Sequence, residues 1–367
     1  MELYYNDEHV VLSSSYHNNK TLVISFSPLI DENRNMGKDD GFGVKFFESN
    51  EISAIYVIPK WNHWYQYEYI ESAIKILKTY IARFDKIVLY GVSMGGYGVL
   101  KYANYLEASS VISISPQAVL SGTKSEFDKR FSQFWERIDH ISDDWLYEKS
   151  FPLNTAILYD RYHAQDNSHA QIILDHIKHA KSIHLPFSGH EVFAVLNESG
   201  ILSKFILALI EAHTSYPSLL QIYRKVRAES GITWMYAALN SQSRGRHRTA
   251  SRLFDESIEV IQWRKKSGLN IDKAKARMTV MAFVAHCIET GRLDSLFELY
   301  SKFADNNIIE IDLDDKYLEG LFLSGQKEMF IKTFKRFEMQ GKAVSRNTKN
   351  LVRKAVESKF LSTSDLA

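Results

Sequence analysis

A mostly parallel β-sheet covered by helices, followed by an all-helical region, is the fold class that this 367-residue sequence predicts. Three observations lead there. Up to about residue 213, short β-branched runs alternate with longer amphipathic stretches, the pattern of strands joined by covering helices. After "HTSYPS" (213–218) the strand pattern almost stops and the remainder is helical. One strand, "KIVLYG", ends at a serine set among glycines and runs directly into a helical stretch. The length suits two domains, placed here at 1–213 and 217–367.

The predicted strands are "HVVLSS" (9–14), "TLVISFS" (21–27), "AIYVIP" (54–59), "KIVLYG" (86–91), "SVISIS" (110–115), "TAILYD" (155–160) and "SIHLPF" (182–187). Continuous apolar runs such as "KIVLY" suit a sheet buried on both faces. Between strands, "EYIESAIKILKTYIARF" sets Ile70, Ile74, Leu77 and Ile81 on one helical face, and "GGYGVLKYANYL" reads as a second helix. Residues 117–150 break the alternation. There "SEFDKRFSQFWERI" and "DDWLYEK" read as helices inserted between two strands, either a lid over a site or a surface excursion.

In the second region three stretches are loosely alike, each an apolar helix, a turn holding Gly245, Gly291 or Gly325, and a second amphipathic helix. Gly291 and Gly325 lie 34 residues apart, Gly245 and Gly291 46. The array thus resembles tetratricopeptide-type helical repeats in style, with an irregular period; such stacked hairpins commonly present a binding surface. The alternative is an ordinary helical domain that stabilises the first.

Charge divides along the same line. Counting Lys, Arg, Asp and Glu, residues 1–216 carry −7 and 217–367 carry +8. The basic charges are spread along helices, and "RGRHR" (244–248) is a short cluster at a turn, so nucleic-acid binding is not expected. Cys287 is the single cysteine and cannot form an internal disulfide. The N-terminus lacks the pattern of a signal peptide and no run is long and apolar enough for a membrane-spanning helix, so a cytoplasmic location is the expectation. No G-x-G-x-x-G follows the first strand and there is no Walker sequence, so no cofactor is expected.

"KIVLYGVSMGGYGVL" is a strand, then Gly91-Val92-Ser93-Met94-Gly95, then a helix: G-x-S-x-G in the strand–turn–helix setting that gives the motif meaning. So sharp a turn needs small residues two before and two after the serine, and Gly91 and Gly95 supply them. The turn lifts the Ser93 hydroxyl above the carboxyl edge of the sheet, where the Met94 amide and the helix dipole can stabilise an oxyanion.

On these residues, 1 to about 213 resemble an α/β-hydrolase, "GVSMGG" being a common form of that superfamily's nucleophile elbow. The resemblance implies a triad in the order nucleophile, acid, histidine. His190, in the Ser188-Gly189-His190 loop after the last strand, takes the place of the general base. His169, His176 and His179 fall in an amphipathic stretch and are expected to face solvent; a metal site is not expected. For the acid, "TAILYDRYHAQDNSHAQ" offers Asp160 and Asp166. Asp160 is preferred because it leaves the strand directly, whereas Asp166 precedes a helical pattern as an N-cap would. The resemblance places the second oxyanion donor after "TLVISFS". Pro28 has no N–H, so the donor is Ser27 or Leu29.

The function expected is a serine hydrolase working through an acyl-enzyme on a small-molecule or glycan ester, most simply a carboxylic-ester hydrolase. An O-acyltransferase on a carbohydrate or polyol is the alternative, suggested by the aromatic "KWNHWYQYEY" loop (60–69) as a stacking face, with "LIDENRNMGKDDGFG" (29–43) as a mobile rim. A non-enzymatic scaffold is the third. The helical region is expected to bind a protein partner or self-associate.

Overall fold

The computed structural model describes residues 3–17, 20–37, 39–120, 125–148, 150–211, 216–304, 313–339, 346–362 and 365. The chain forms two compact units, 1–236 and 237–367.

The first unit is built on an eight-stranded sheet: β1 (Tyr4–Asn6), β2 (Val10–Ser15), β3 (Thr21–Phe26), β4 (Ser53–Pro59), β5 (Lys86–Val92), β6 (Ser110–Ile114), β7 (Asn154–Tyr159) and β8 (Lys181–His184). Their spatial order is β1-β2-β4-β3-β5-β6-β7-β8. β1 and β2 run antiparallel at one edge and β3 to β8 are parallel. The seven expected strands are present; β1 is added, a three-residue edge strand too short to show a period. Val23, Ile24, Val57, Val88, Leu89, Val111 and Ile157 are fully buried, as a sheet with two covered faces requires.

The helices of this unit are α1 (Val44–Ser49), α2 (Tyr67–Ile81), α3 (Met94–Lys101), α4 (Ser132–Trp135), α5 (Ala164–His176), α6 (Val192–Glu198), α7 (Leu202–Glu211), α8 (Tyr216–Val226) and the start, up to Tyr236, of α9 (Gly231–Ser243). α2 buries Ile70, Ile74, Leu77 and Ile81, the face its spacing predicts. α3 stops at Lys101, short of the expected span. The unit also runs past the expected boundary near 213. Tyr223 of α8 is buried and donates its hydroxyl to the Pro186 carbonyl at 2.8 Å, which ties α8 to the loop after β8. The expected boundary between 213 and 217 lies partly outside the described residues. Among the described residues, no single helix is long and apolar enough to cross a membrane.

The inserted segment is not the pair of helices its sequence predicts. Over 125–148 it forms the single turn α4 and a 3-10 turn at Asp144–Tyr147; 121–124 and 149 lie outside the described residues. Asp128 is the reason. Its carboxylate accepts from the Arg130 amide at 3.0 Å, a local bond that competes with helix, and grips the Arg130 guanidinium at 2.9 and 2.7 Å.

Among the described residues the second unit is all helical, with α10 (His247–Lys266), α11 (Lys273–Thr290), α12 (Leu293–Ala304), α13 (Asp314–Leu323), α14 (Lys327–Met339) and α15 (Arg346–Glu357). Gly245, Gly291 and Gly325 have φ of 70°, 71° and 73°. At each, the next amide donates five residues back: Arg246 to Ser241, Arg292 to Cys287 and Gln326 to Leu321. Each glycine therefore ends one helix in the left-handed conformation and starts the next two residues later.

Candidate active site

The elbow between β5 and α3 carries Ser93 in a left-handed backbone, φ 53° and ψ −115°. Its geometry needs both predicted glycines. A Cβ at Gly91 would lie 2.2 Å from the Gly95 carbonyl oxygen, and one at Gly95 would lie 2.1 Å from that of Phe26 on β3. The turn is pinned by Ser93 N donating to the Ile114 carbonyl at 2.8 Å and Tyr97 N to the Ser93 carbonyl at 3.0 Å. Met94 opens α3, so no helical carbonyl reaches its amide.

His190 stands on the loop between β8 and α6. Gly189 before it has φ 57°, and any Cβ there would meet the Tyr236 ring at 2.0 Å. His190 Nε2 lies 3.0 Å from Ser93 Oγ, and Nδ1 lies 2.8 and 3.0 Å from the two Asp166 oxygens. A carboxylate beside Nδ1 requires the proton there. Nε2 is then the acceptor, and the Ser93 hydroxyl donates to it.

Asp166, not the preferred Asp160, is the carboxylate on His190. The expectation that Asp166 caps a helix is what fails: the cap of α5 is His163, whose Nδ1 accepts from Asp166 N at 3.4 Å. Asp166 sits three residues further on, with its side chain toward His190. Asp160 instead holds the loop, accepting from Tyr162 N and Gly189 N, each at 2.9 Å. The two carboxyls differ electrostatically. Burial raises Asp160 above the usual carboxylate value, and the amide bonds from Tyr162 and Gly189 offset only part of this. Burial would raise Asp166 too, but His190 and His163 outweigh it and hold Asp166 well below that value. Asp166 thus stays ionised.

The inserted segment reaches the same place. Arg130 pairs with Asp166 at 2.9 Å and with Asp128 at 2.7 Å. Asp128 in turn meets His169 Nε2 at 3.1 Å, and His169 Nδ1 accepts from Ala118 N at 3.0 Å. His169, expected in solvent, is fully buried as the link between α5 and this segment. Phe131 packs on His190 with ring centres 5.9 Å apart.

The other expected site residues fare unevenly. The Ser27 amide donates to the Val57 carbonyl at 3.2 Å, so it is committed to the sheet and is not the oxyanion donor expected of it. The aromatic loop is mostly interior. Trp64 and Tyr65 are fully buried, and the Trp64 ring packs among Phe131, Phe134 and Trp135. These rings therefore offer no stacking face to a ligand. The 29–43 rim is tied down through Glu32, which accepts from Asn62 N at 2.7 Å and pairs with Arg137 at 2.6 Å.

Gln117 escaped the sequence reading. Its Nε2 lies 3.4 Å from Ser93 Oγ. The signal available was its place just past β6, at the carboxyl edge where open α/β sheets keep their sites.

Ser93, Asp166 and His190 follow in that order along the chain, each beyond the carboxyl end of a parallel strand. The first unit has the α/β-hydrolase fold. No family model matches the chain, and no curated protein does. Among solved structures it is similar to the capsule O-acetyltransferase of Neisseria meningitidis serogroup A, at 15% identity over 57% of this chain and 93% of that one, TM-score 0.44. It is also similar to Est1E from Butyrivibrio proteoclasticus (12%, 57% and 99%, 0.39) and to the Pyrococcus furiosus esterase Pf2001 (14%, 58% and 91%, 0.39).

Proposed function

We propose that the first unit is a serine hydrolase that forms an acyl-enzyme on Ser93, most simply a carboxylic-ester hydrolase. The observation that carries the reading is the continuous contact from Ser93 Oγ through His190 to Asp166, with the nucleophile on a strained elbow. Ser93 Oγ attacks the ester carbonyl as its proton passes to His190 Nε2. Asp166 holds the imidazole in its Nδ1–H form and stabilises the imidazolium. The tetrahedral intermediate collapses as His190 returns the proton to the leaving alcohol, and water discharges the acyl group by the same steps.

A second reading, transfer to a hydroxyl acceptor, is favoured by one observation. Ser93 is only 6% exposed, with Phe131 of the inserted segment against His190. A shielded acyl-enzyme persists long enough to meet an alcohol.

The test is reaction with a fluorophosphonate, with the adduct located by peptide mapping. Labelling is expected at Ser93 and lost in Ser93→Ala and His190→Ala; a folded wild type that stays unlabelled sinks the reading. Discharge rates with water alone and with added polyols then separate hydrolysis from transfer.

A further inference from the structure

The backbone offers little for the second oxyanion donor. The Ser27 amide is spent on Val57, Pro28 has none, and Leu29, the remaining backbone candidate, is an exposed residue. Across the elbow, the end of β6 delivers a side chain. Ser115 turns through φ 45°, Pro116 follows, and Gln117 comes to rest fully buried with Nε2 3.4 Å from Ser93 Oγ.

The amide's orientation is dictated by its other contact. Gln117 Oε1 accepts from Trp64 Nε1 at 3.2 Å. An indole nitrogen can only donate, so the oxygen must face Trp64 and the NH2 must face Ser93. Trp64 is immobile in turn, fully buried at φ 45° and wedged among Phe131, Phe134 and Trp135. The result is a held donor pair in a buried site, whose one bond to Ser93 is long.

A donor that is held in place but only loosely bonded in the resting enzyme is the arrangement that favours a transition state over a ground state. Resting on the hydrolase reading above, we infer that the Gln117 side-chain amide donates to the oxyanion formed on Ser93, alongside the Met94 amide. As the Oγ–carbon bond forms, the carbonyl π electrons move to the carbonyl oxygen, which is attached to the same carbon as Oγ. A small shift carries a Gln117 N–H from Oγ to that oxygen; no proton leaves Gln117. Trp64 is a positioning residue that acts through it.

The experiment compares wild type, Gln117→Met and Gln117→Ala in steady-state hydrolysis of an activated ester, with affinity for a trifluoromethyl ketone that adds to Ser93 as a hemiketal. Gln117→Met keeps the volume and removes the donor, which guards against a variant that fails to fold; thermal melting checks both. The expected result is a fall in kcat of about 10²- to 10³-fold with KM nearly unchanged, and a parallel loss in affinity for the ketone. A merely structural Gln117 would not make those two losses run together. Trp64→Phe, which keeps the ring and drops the indole N–H, is expected to give a smaller fall in kcat of the same kind. If wild type labels at Ser93 with fluorophosphonate but folded Gln117→Met keeps kcat within about threefold, the inference is overturned and the hydrolase reading stands. If wild type does not label, both fall.

Discussion

Asp166→Asn is expected to lower kcat by on the order of 10⁴-fold while leaving the fold intact, because the variant amide favours the wrong His190 tautomer. An Asn side chain can turn its NH2 toward Nδ1, which would then have to lose its proton and leave Nε2 unable to accept from Ser93. The contrast is Asp160→Asn. Asp160 accepts backbone amides from Tyr162 and Gly189, and an Asn has a single acceptor oxygen, so one buried N–H loses its partner. That costs about 1–3 kcal/mol of stability. Activity should fall far less than in Asp166→Asn, since His190 keeps its carboxylate. Steady-state kinetics beside thermal melting separates the two. If Asp160→Asn abolishes turnover and Asp166→Asn leaves it near wild type, the acid is Asp160 after all.

Gly95→Ala is expected to be among the most damaging single-methyl changes in the chain. The added Cβ would sit 2.1 Å from the Phe26 carbonyl oxygen, a backbone atom of β3 that cannot rotate away. Relief requires β3 and the elbow to part, at a cost of about 3 kcal/mol, and Ser93 would leave the range of His190. Gly291→Ala is the control. Gly291 has φ 71° with nothing within 4 Å of the added atom, so only the backbone preference is lost, about 1 kcal/mol. Denaturation curves with fluorophosphonate labelling should show Gly95→Ala unstable and unlabelled, and Gly291→Ala slightly less stable and fully labelled. Normal labelling of Gly95→Ala would mean that the elbow tolerates the methyl and that the crowding argument is wrong.

Much of this was legible in the chain because it depends on local backbone. β-branched runs, a glycine two residues either side of a serine, and a glycine between two amphipathic stretches each limit the conformations of their own few residues. The strands, the elbow at Ser93 and the helical turns at Gly245, Gly291 and Gly325 therefore lie where their residues imply. The inserted segment misled for the complementary reason. Its apolar spacing suits a helix, but Asp128 finds Arg130 and the buried His169, 41 residues away, and those bonds win over local preference.

The sequence by itself determined a parallel sheet followed by helices, a serine on a strained turn and a histidine in the loop beyond the last strand. The tertiary structure decided which carboxylate reaches that histidine, that the Ser27 amide is committed to the sheet, that Arg130 pairs with Asp166 and that Gln117 stands beside Ser93. The physical reason is range. A turn is specified by the sterics of neighbouring residues, whereas the choice between Asp160 and Asp166 depends on how α5 is capped and rotated, and the approach of Gln117 to Ser93 on a buried indole 53 residues away.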